Sequence, residues 1–210
     1  MAFQQIFRRA ITRAIKDCKI VRKLTGMLRH IPNFITIFRV LAAPIVAVLL
    51  CQPHGTELTA FILALYCLAA ISDFFDGWLA RKLQVVSALG RMLDPIADKL
   101  LVAGCIIALA ATRDDGSWFL LPALMIIMRE FLVAGLREFL ADTKLVVPVS
   151  LLAKWKTAVQ LIAIAVLIGT PLAQDASTIG IVGLSLFWLS AIMTVKTGYD
   201  YFKAAMPYLK

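Results

Sequence analysis

The chain has 210 residues, 61% of them apolar and only 17% charged, against about 45–50% apolar and about a quarter charged in an ordinary soluble domain. At roughly 20 residues per apolar span, six spans would take about 120 residues and leave some 90 for an amino-terminal segment, polar helix ends and short loops, which excludes a large extramembrane domain. The 22 Lys and Arg against 13 Asp and Glu, a net charge of +9, would suggest nucleic acid in a soluble protein. Here membrane topology accounts for the charge, and no nucleic-acid partner is expected.

Residues 1–31 carry eight Lys or Arg and one acid. Phe3, Ile6, Phe7, Ala10, Ile11, Ala14 and Ile15 recur there at helical spacing, the pattern of an amphipathic helix lying on anionic lipid. A solvated basic tail is the alternative, and both readings put the amino terminus in the cytoplasm. This stretch is too long for the n-region of a signal peptide, so the first apolar run is expected to stay as an anchor. The four cysteines, Cys18, Cys51, Cys67 and Cys105, stand far apart without a CxxC and read as free thiols.

Apolar runs follow at about 34–51, 58–80, 92–111, 118–138, 156–172 and 179–199. They predict an all-α, polytopic membrane domain over 32–210 with six transmembrane helices. The segments 52–57, 112–117 and 173–178 hold a single Lys or Arg, Arg113. The positive-inside rule then places them outside and both termini in the cytoplasm.

The second run ends ISDFFDGWLARKL, which puts Asp73, Asp76, Gly77, Ala80 and Arg81 on one helical face. The third begins GRMLDPIADKLL, with Gly90, Asp94 and Asp98 again sharing a face. Two antiparallel helices joined by a short loop are neighbours, so four carboxylates converge near their cytoplasmic ends. An Asp at mid-bilayer costs about 2.5–3.5 kcal/mol, and four unpaired ones about 10 kcal/mol, so the cluster calls for cations. Three readings compete: a network of acids with Arg81 and Lys99, a cation or proton pathway, and a divalent-metal site for phosphate chemistry. The last fits the company best, because Gly77 and Ala80 leave room and Arg81 offers a planar fork for phosphate. Pro95 either kinks the third helix or marks its first turn.

Asp73, Asp76, Gly77, Ala80, Arg81, Gly90, Asp94 and Asp98 meet the pattern D-x2-D-G-x2-A-R-x8-G-x3-D-x3-D. In this the chain resembles the CDP-alcohol phosphotransferase family. The resemblance implies transfer of a phosphatidyl or similar group from a CDP-linked donor to an alcohol with release of CMP, six transmembrane helices and a homodimer. It also implies Mg²⁺ or Mn²⁺, two ions, held by Asp73, Asp76, Asp94 and Asp98. Asp98 would bind metal or take the acceptor's hydroxyl proton, and Gly77, Ala80, Arg81 and Gly90 would line the CDP site.

The stretch IPNFITIFRVLAAP around Asn33, Thr36, Arg39 and Pro44 resembles bacterial phosphatidylglycerophosphate synthases, as do REFLVAGLREFLA (129–141) and AKWKTAVQ (153–160). This implies a bacterial inner-membrane enzyme acting on CDP-diacylglycerol and glycerol 3-phosphate, with Asn33 and Thr36 helping to hold the CDP group. The acceptor's dianionic phosphate needs cations, for which Arg129, Arg137, Lys154, Lys156 and Arg39 are candidates. Positive-inside flanking is the alternative for the two lysines, and pairing with Glu130 or Glu138 for Arg129 and Arg137. A sister enzyme with another acceptor, such as serine, inositol phosphate or phosphatidylglycerol, would share the donor site. An ion or proton transporter and a membrane assembly protein are the readings from other classes.

Overall fold

The structure is a computed structural model that describes residues 31–53, 55–83, 88–142 and 151–208; for 31–33, 73–83, 88, 89, 91, 94, 141, 142 and 208 it describes the backbone only. The expected helix over 1–31 therefore lies outside the described residues but for its last position, as does Cys18.

Six long helices account for nearly everything described: α1 (Ile31–Leu50), α2 (Thr56–Leu83), α3 (Ala88–Thr112), α4 (Ser117–Asp142), α5 (Leu151–Gly169) and α6 (Ala176–Ala205). A 3₁₀ turn, Thr170–Leu172, extends α5, and another, Met206–Tyr208, follows α6. In chains this apolar the helix is the economical state, since it satisfies its own backbone N–H and C=O groups without water. Among the described residues, four segments are long and apolar enough to cross a membrane: Pro95–Thr112, Ser117–Leu140, Leu151–Leu172 and Ala176–Ala205. In α1 and α2 the apolar stretches among the described residues are Phe34–Leu50 and Thr56–Ser72. Helix α2 runs on through Asp73, Asp76, Arg81 and Lys82 to Leu83, so it carries its charged turns within the helix.

The helices form a closed ring of two trios. In one, α1 packs closely against α2 and α3; in the other, α6 packs closely against α4 and α5. Slighter contacts, α2 on α5 and α3 on α4, join them. Small residues allow the close approach within the first trio, as they do between membrane helices generally. A Cβ added at Gly104 on α3 would stand 3.4 Å from the Ala47 Cβ on α1. Between α4 and α6 the buried rings of Phe119 and Phe187 stack, with centroids 4.9 Å apart. The Trp188 indole donates to the Trp118 carbonyl at 2.9 Å. Across the seam the Tyr66 hydroxyl of α2 donates to the Leu161 carbonyl of α5 at 3.1 Å. Leucine, isoleucine and phenylalanine side chains are left exposed along every helix, the outward apolar surface that lipid requires.

The helix ends that flank or enter the three segments 52–57, 112–117 and 173–178 lie together. Leu50, Thr112, Arg113, Asp115, Thr170 and Pro171 line one cavity of about 270 Å³ at that end of the ring. Arg113 pairs with Asp115 there. At the same end Asp175 caps α6, accepting from the Thr178 backbone N–H at 3.1 Å and the Ser177 hydroxyl at 2.7 Å. These bonds hold its carboxyl at about 2, below the usual 3.8. A carboxyl whose pKa is lower folded than unfolded stabilises above the unfolded value and loses that contribution as pH falls through the folded one. Asp175→Ala is therefore expected to lower the thermal unfolding midpoint in detergent at pH 7, and the gap to the parent should close between about pH 3.8 and about pH 2. A gap independent of pH over that interval would show that the cap does not act through its charge.

Cys51, Cys67 and Cys105 are free thiols, as their spacing suggests. Pro95 is the eighth residue of α3, so it sits inside the helix and not in its first turn.

Candidate active site

Two groups of polar residues lie toward the end of the ring opposite the Arg113 cavity. The first is the acid motif. Asp73, Asp76, Gly77, Ala80 and Arg81 all fall within the unbroken helix α2, and Gly90, Asp94 and Asp98 within α3. The helical spacings on which the shared faces depend are thus realised in the backbone, and α2 and α3 touch. The side chains of Asp73, Asp76, Ala80, Arg81 and Asp94 lie outside the described residues, as does that of Asn33, and Gly77 is described by its backbone alone. Thr36 is buried on α1, and Gly90 is buried on α3.

Asp98 is the one acid of the four whose side chain is described. Its Oδ1 accepts from Nη1 of Arg39 on α1, 59 positions away in the chain. Arg39 is 1% exposed while the Asp98 side chain is 48% exposed. A buried guanidinium therefore grips a carboxylate that still opens onto accessible space. A carboxylate has about four lone-pair positions, so this grip fixes its orientation without using up its capacity to accept. The donor set of the motif is all carboxylate oxygen, which suits Mg²⁺ or Mn²⁺ over softer metals. Among the described residues alone, no group of three His, Cys, Asp or Glu side chains is close enough to hold a metal.

The second group is cationic and crosses the other trio. Glu130 Oε1 on α4 accepts from Arg129 Nη1 at 2.9 Å and from Lys156 Nζ on α5. Arg129 Nη2 donates to Thr197 Oγ1 on α6 at 3.1 Å. The Lys156 side chain is only 7% exposed, and those of Arg129 and Glu130 are mostly buried. Among the described residues, two cations around one carboxylate leave this cluster a single excess positive charge. Such a buried excess is costly, and charged groups inside a membrane protein mark functional sites by default. Lys99, one residue past Asp98, lies near enough to Lys156 for its charge to act there, which links the cationic group to the acid helix α3.

Of the residues expected to meet the acceptor phosphate, the structure thus gathers Arg129 and Lys156. The Glu130 alternative for Arg129 is realised, but as one arm of a three-residue cluster. Arg39 is on Asp98. Arg137 lies with its guanidinium carbon 6.0 Å from the ring centroid of Tyr201. Lys154 is exposed in the first turn of α5 and makes no ion pair among the described residues. Sequence reasoning gave no role to Thr197, one of several Ser and Thr residues along α6, and treated Glu130 only as a charge partner. A carboxylate within an apolar run beside an arginine was the available signal for Glu130; Thr197 offered none.

Residues 29–196 match the family described as CDP-alcohol phosphatidyltransferase. The chain belongs to that family. It is similar to proteins named CDP-diacylglycerol–glycerol-3-phosphate 3-phosphatidyltransferase. One from Rickettsia bellii is 44% identical over 181 residues, covering 85% of this chain and 97% of that protein. One from Cereibacter sphaeroides is 39% identical over 214 residues, covering 86% and 97%. One from Salmonella choleraesuis is 36% identical over 179 residues, covering 84% and 94%.

Proposed function

We propose that this family member transfers the phosphatidyl group of CDP-diacylglycerol to sn-glycerol 3-phosphate, giving phosphatidylglycerophosphate and CMP. The relatives' shared name supports the reaction, and one observation supports the acceptor: the buried Arg129–Glu130–Lys156 cluster with its excess positive charge. A phosphate monoester dianion needs such a site; serine, whose own charges cancel, does not.

In this reading the acceptor phosphate sits against Arg129 and Lys156, with Arg137, Lys154 and Lys99 raising the positive potential around it. Asp98, oriented by Arg39, takes the proton of the acceptor hydroxyl. The acceptor oxygen forms its bond to phosphorus as the phosphorus–oxygen bond to CMP breaks, and CMP leaves with the electron pair. Asn33, Thr36, Gly77, Ala80, Arg81 and Gly90 hold the CDP group. Asp73, Asp76, Asp94 and Asp98 would hold Mg²⁺ or Mn²⁺, two ions, which when bound neutralise charge on the pyrophosphate.

The same reading gives six membrane crossings in a homodimer of the bacterial inner membrane. Both termini and the site face the cytoplasm, and the basic residues 1–31 lie on anionic lipid. The lipid tails of the donor can then stay in the bilayer while the acceptor enters from water.

The test is CMP release by the purified protein from CDP-diacylglycerol with Mg²⁺, comparing glycerol 3-phosphate, serine, inositol phosphate, phosphatidylglycerol and no acceptor, with the lipid product identified by mass. Turnover with glycerol 3-phosphate alone is expected. Turnover only with another acceptor would overturn the acceptor assignment, and none with any acceptor would overturn the reaction.

A further inference from the structure

The reading of Arg129 and Lys156 as the acceptor-phosphate site, on which this inference rests, leaves open what aims Arg129. Arginine has a long, flexible stem, and the loss of its rotamer freedom must be offset by contacts that hold it. Three observations identify the seat, and the first two of them concern α6.

The tip is anchored first. Arg129 Nη2 donates to Thr197 Oγ1 at 3.1 Å, across 68 positions of chain. That hydroxyl has its own proton committed within α6, where it lies 2.9 Å from the Met193 carbonyl and 3.0 Å from the Thr194 carbonyl. With its donor spent on its own helix, it turns only lone pairs toward α4, and its β-branched rotamer is stiff. Thr197 is thus a fixed acceptor and cannot reorient to become a donor.

The stem is seated next. A Cβ added at Gly198 would stand 2.8 Å from Arg129 Cγ, 3.3 Å from Nε and 3.6 Å from Cδ. Only a residue without a side chain lets the arginine stem lie this close to α6. The third observation is that Nε of Arg129 is buried with no hydrogen-bond partner among the described residues. An orphaned buried donor is costly. The stem therefore lies where the tip contacts and the space at Gly198 put it, and not where its own Nε would be best satisfied.

Glu130 and Thr197 each take one proton, from Nη1 and Nη2. An arginine has five N–H donors in a planar fork, so each terminal nitrogen keeps one for a ligand. Rotating the fork would misdirect both at once.

We propose that Thr197, together with the bare backbone at Gly198, is a positioning element that aims the Arg129 guanidinium at the phosphate of the acceptor. It sets acceptor affinity without touching either substrate, and it makes the last helix part of the acceptor site.

The test is steady-state kinetics of the full-length protein with each substrate varied in turn. Thr197→Val keeps the shape and removes the acceptor atom. It is expected to raise KM for glycerol 3-phosphate about tenfold and to leave KM for CDP-diacylglycerol unchanged. Thr197→Ser, which keeps the hydroxyl, should restore the parent value. An unchanged acceptor KM, an equal rise in both KM values, or no rescue by serine would overturn the proposal. If Thr197→Val does not accumulate as folded protein, Gly198→Ala is read in the same way, and an unchanged acceptor KM there overturns it too. A parent protein that turns over only with a phosphate-free acceptor would sink the acceptor-site reading and this inference with it. Turnover on glycerol 3-phosphate without the KM split sinks this inference alone.

Discussion

Asp98→Asn is expected to lower kcat by about 10²–10⁴-fold, the range a positioned general base contributes, with the protein still folded. The amide is nearly isosteric and its Oδ1 can still accept from Arg39, so the contact between α1 and α3 is conserved in kind. What is lost is the negative charge, and with it the capacity to take the acceptor's proton. The measurement pairs CMP release with size-exclusion profiles and thermal unfolding in detergent, so that loss of chemistry is separated from loss of fold. Asp98→Glu keeps the charge but moves the carboxylate by one methylene, and should leave a rate between the two. A turnover number for Asp98→Asn within threefold of the parent would remove Asp98 from both proton transfer and metal binding. Arg39→Lys offers the complementary result. Lysine replaces a planar fork by a point charge, so a fall in kcat with the acids intact would show that the orientation of Asp98 matters as well as its charge.

The helices were largely legible because each apolar run had to become one. The expected starts and stops differ from those observed where polar residues continue a helix. The run at 58–80 continues to Leu83 and the run at 179–199 to Ala205. The fifth helix begins at Leu151 and not near Lys156. Read along the chain, Lys154 and Lys156 look like a flank; in space, Lys156 is one full turn inside the helix. It can be there because Glu130, 26 positions earlier, faces it.

The acid motif was legible as well, since i, i+3 and i+4 spacings fix a shared face once the helix exists. The pairing of Arg39 with Asp98 was not. It depends on which of several helices α1 lies against, and local pattern carries no information about that. Small residues at Ala43, Ala47 and Gly104 brought α1 onto α3, which placed Arg39 on the acid and left Arg129 and Lys156 as the cationic pair.

Lys156→Met is expected to raise KM for glycerol 3-phosphate by about 10²-fold, on the 2–5 kcal/mol that truncating one member of a buried charge pair costs. KM for CDP-diacylglycerol should change little. Methionine fills nearly the same volume without the charge, so α5 keeps its packing against α6. Glu130 keeps its hydrogen bond from Arg129 and is not stranded, which is why the expected loss falls on binding more than on stability. With Lys156 gone, Arg129 and Glu130 neutralise each other, and the excess positive charge that would draw a phosphate dianion disappears. Lys156→Arg restores the charge with a bulkier head and should recover part of the affinity. Because the site is largely shielded from solvent, the defect should persist at high salt, where an effect of surface charges such as Lys154 would fade. Equal losses for donor and acceptor, or a defect abolished by salt, would move the acceptor phosphate away from this cluster and leave the donor chemistry on α2 and α3 as it stands.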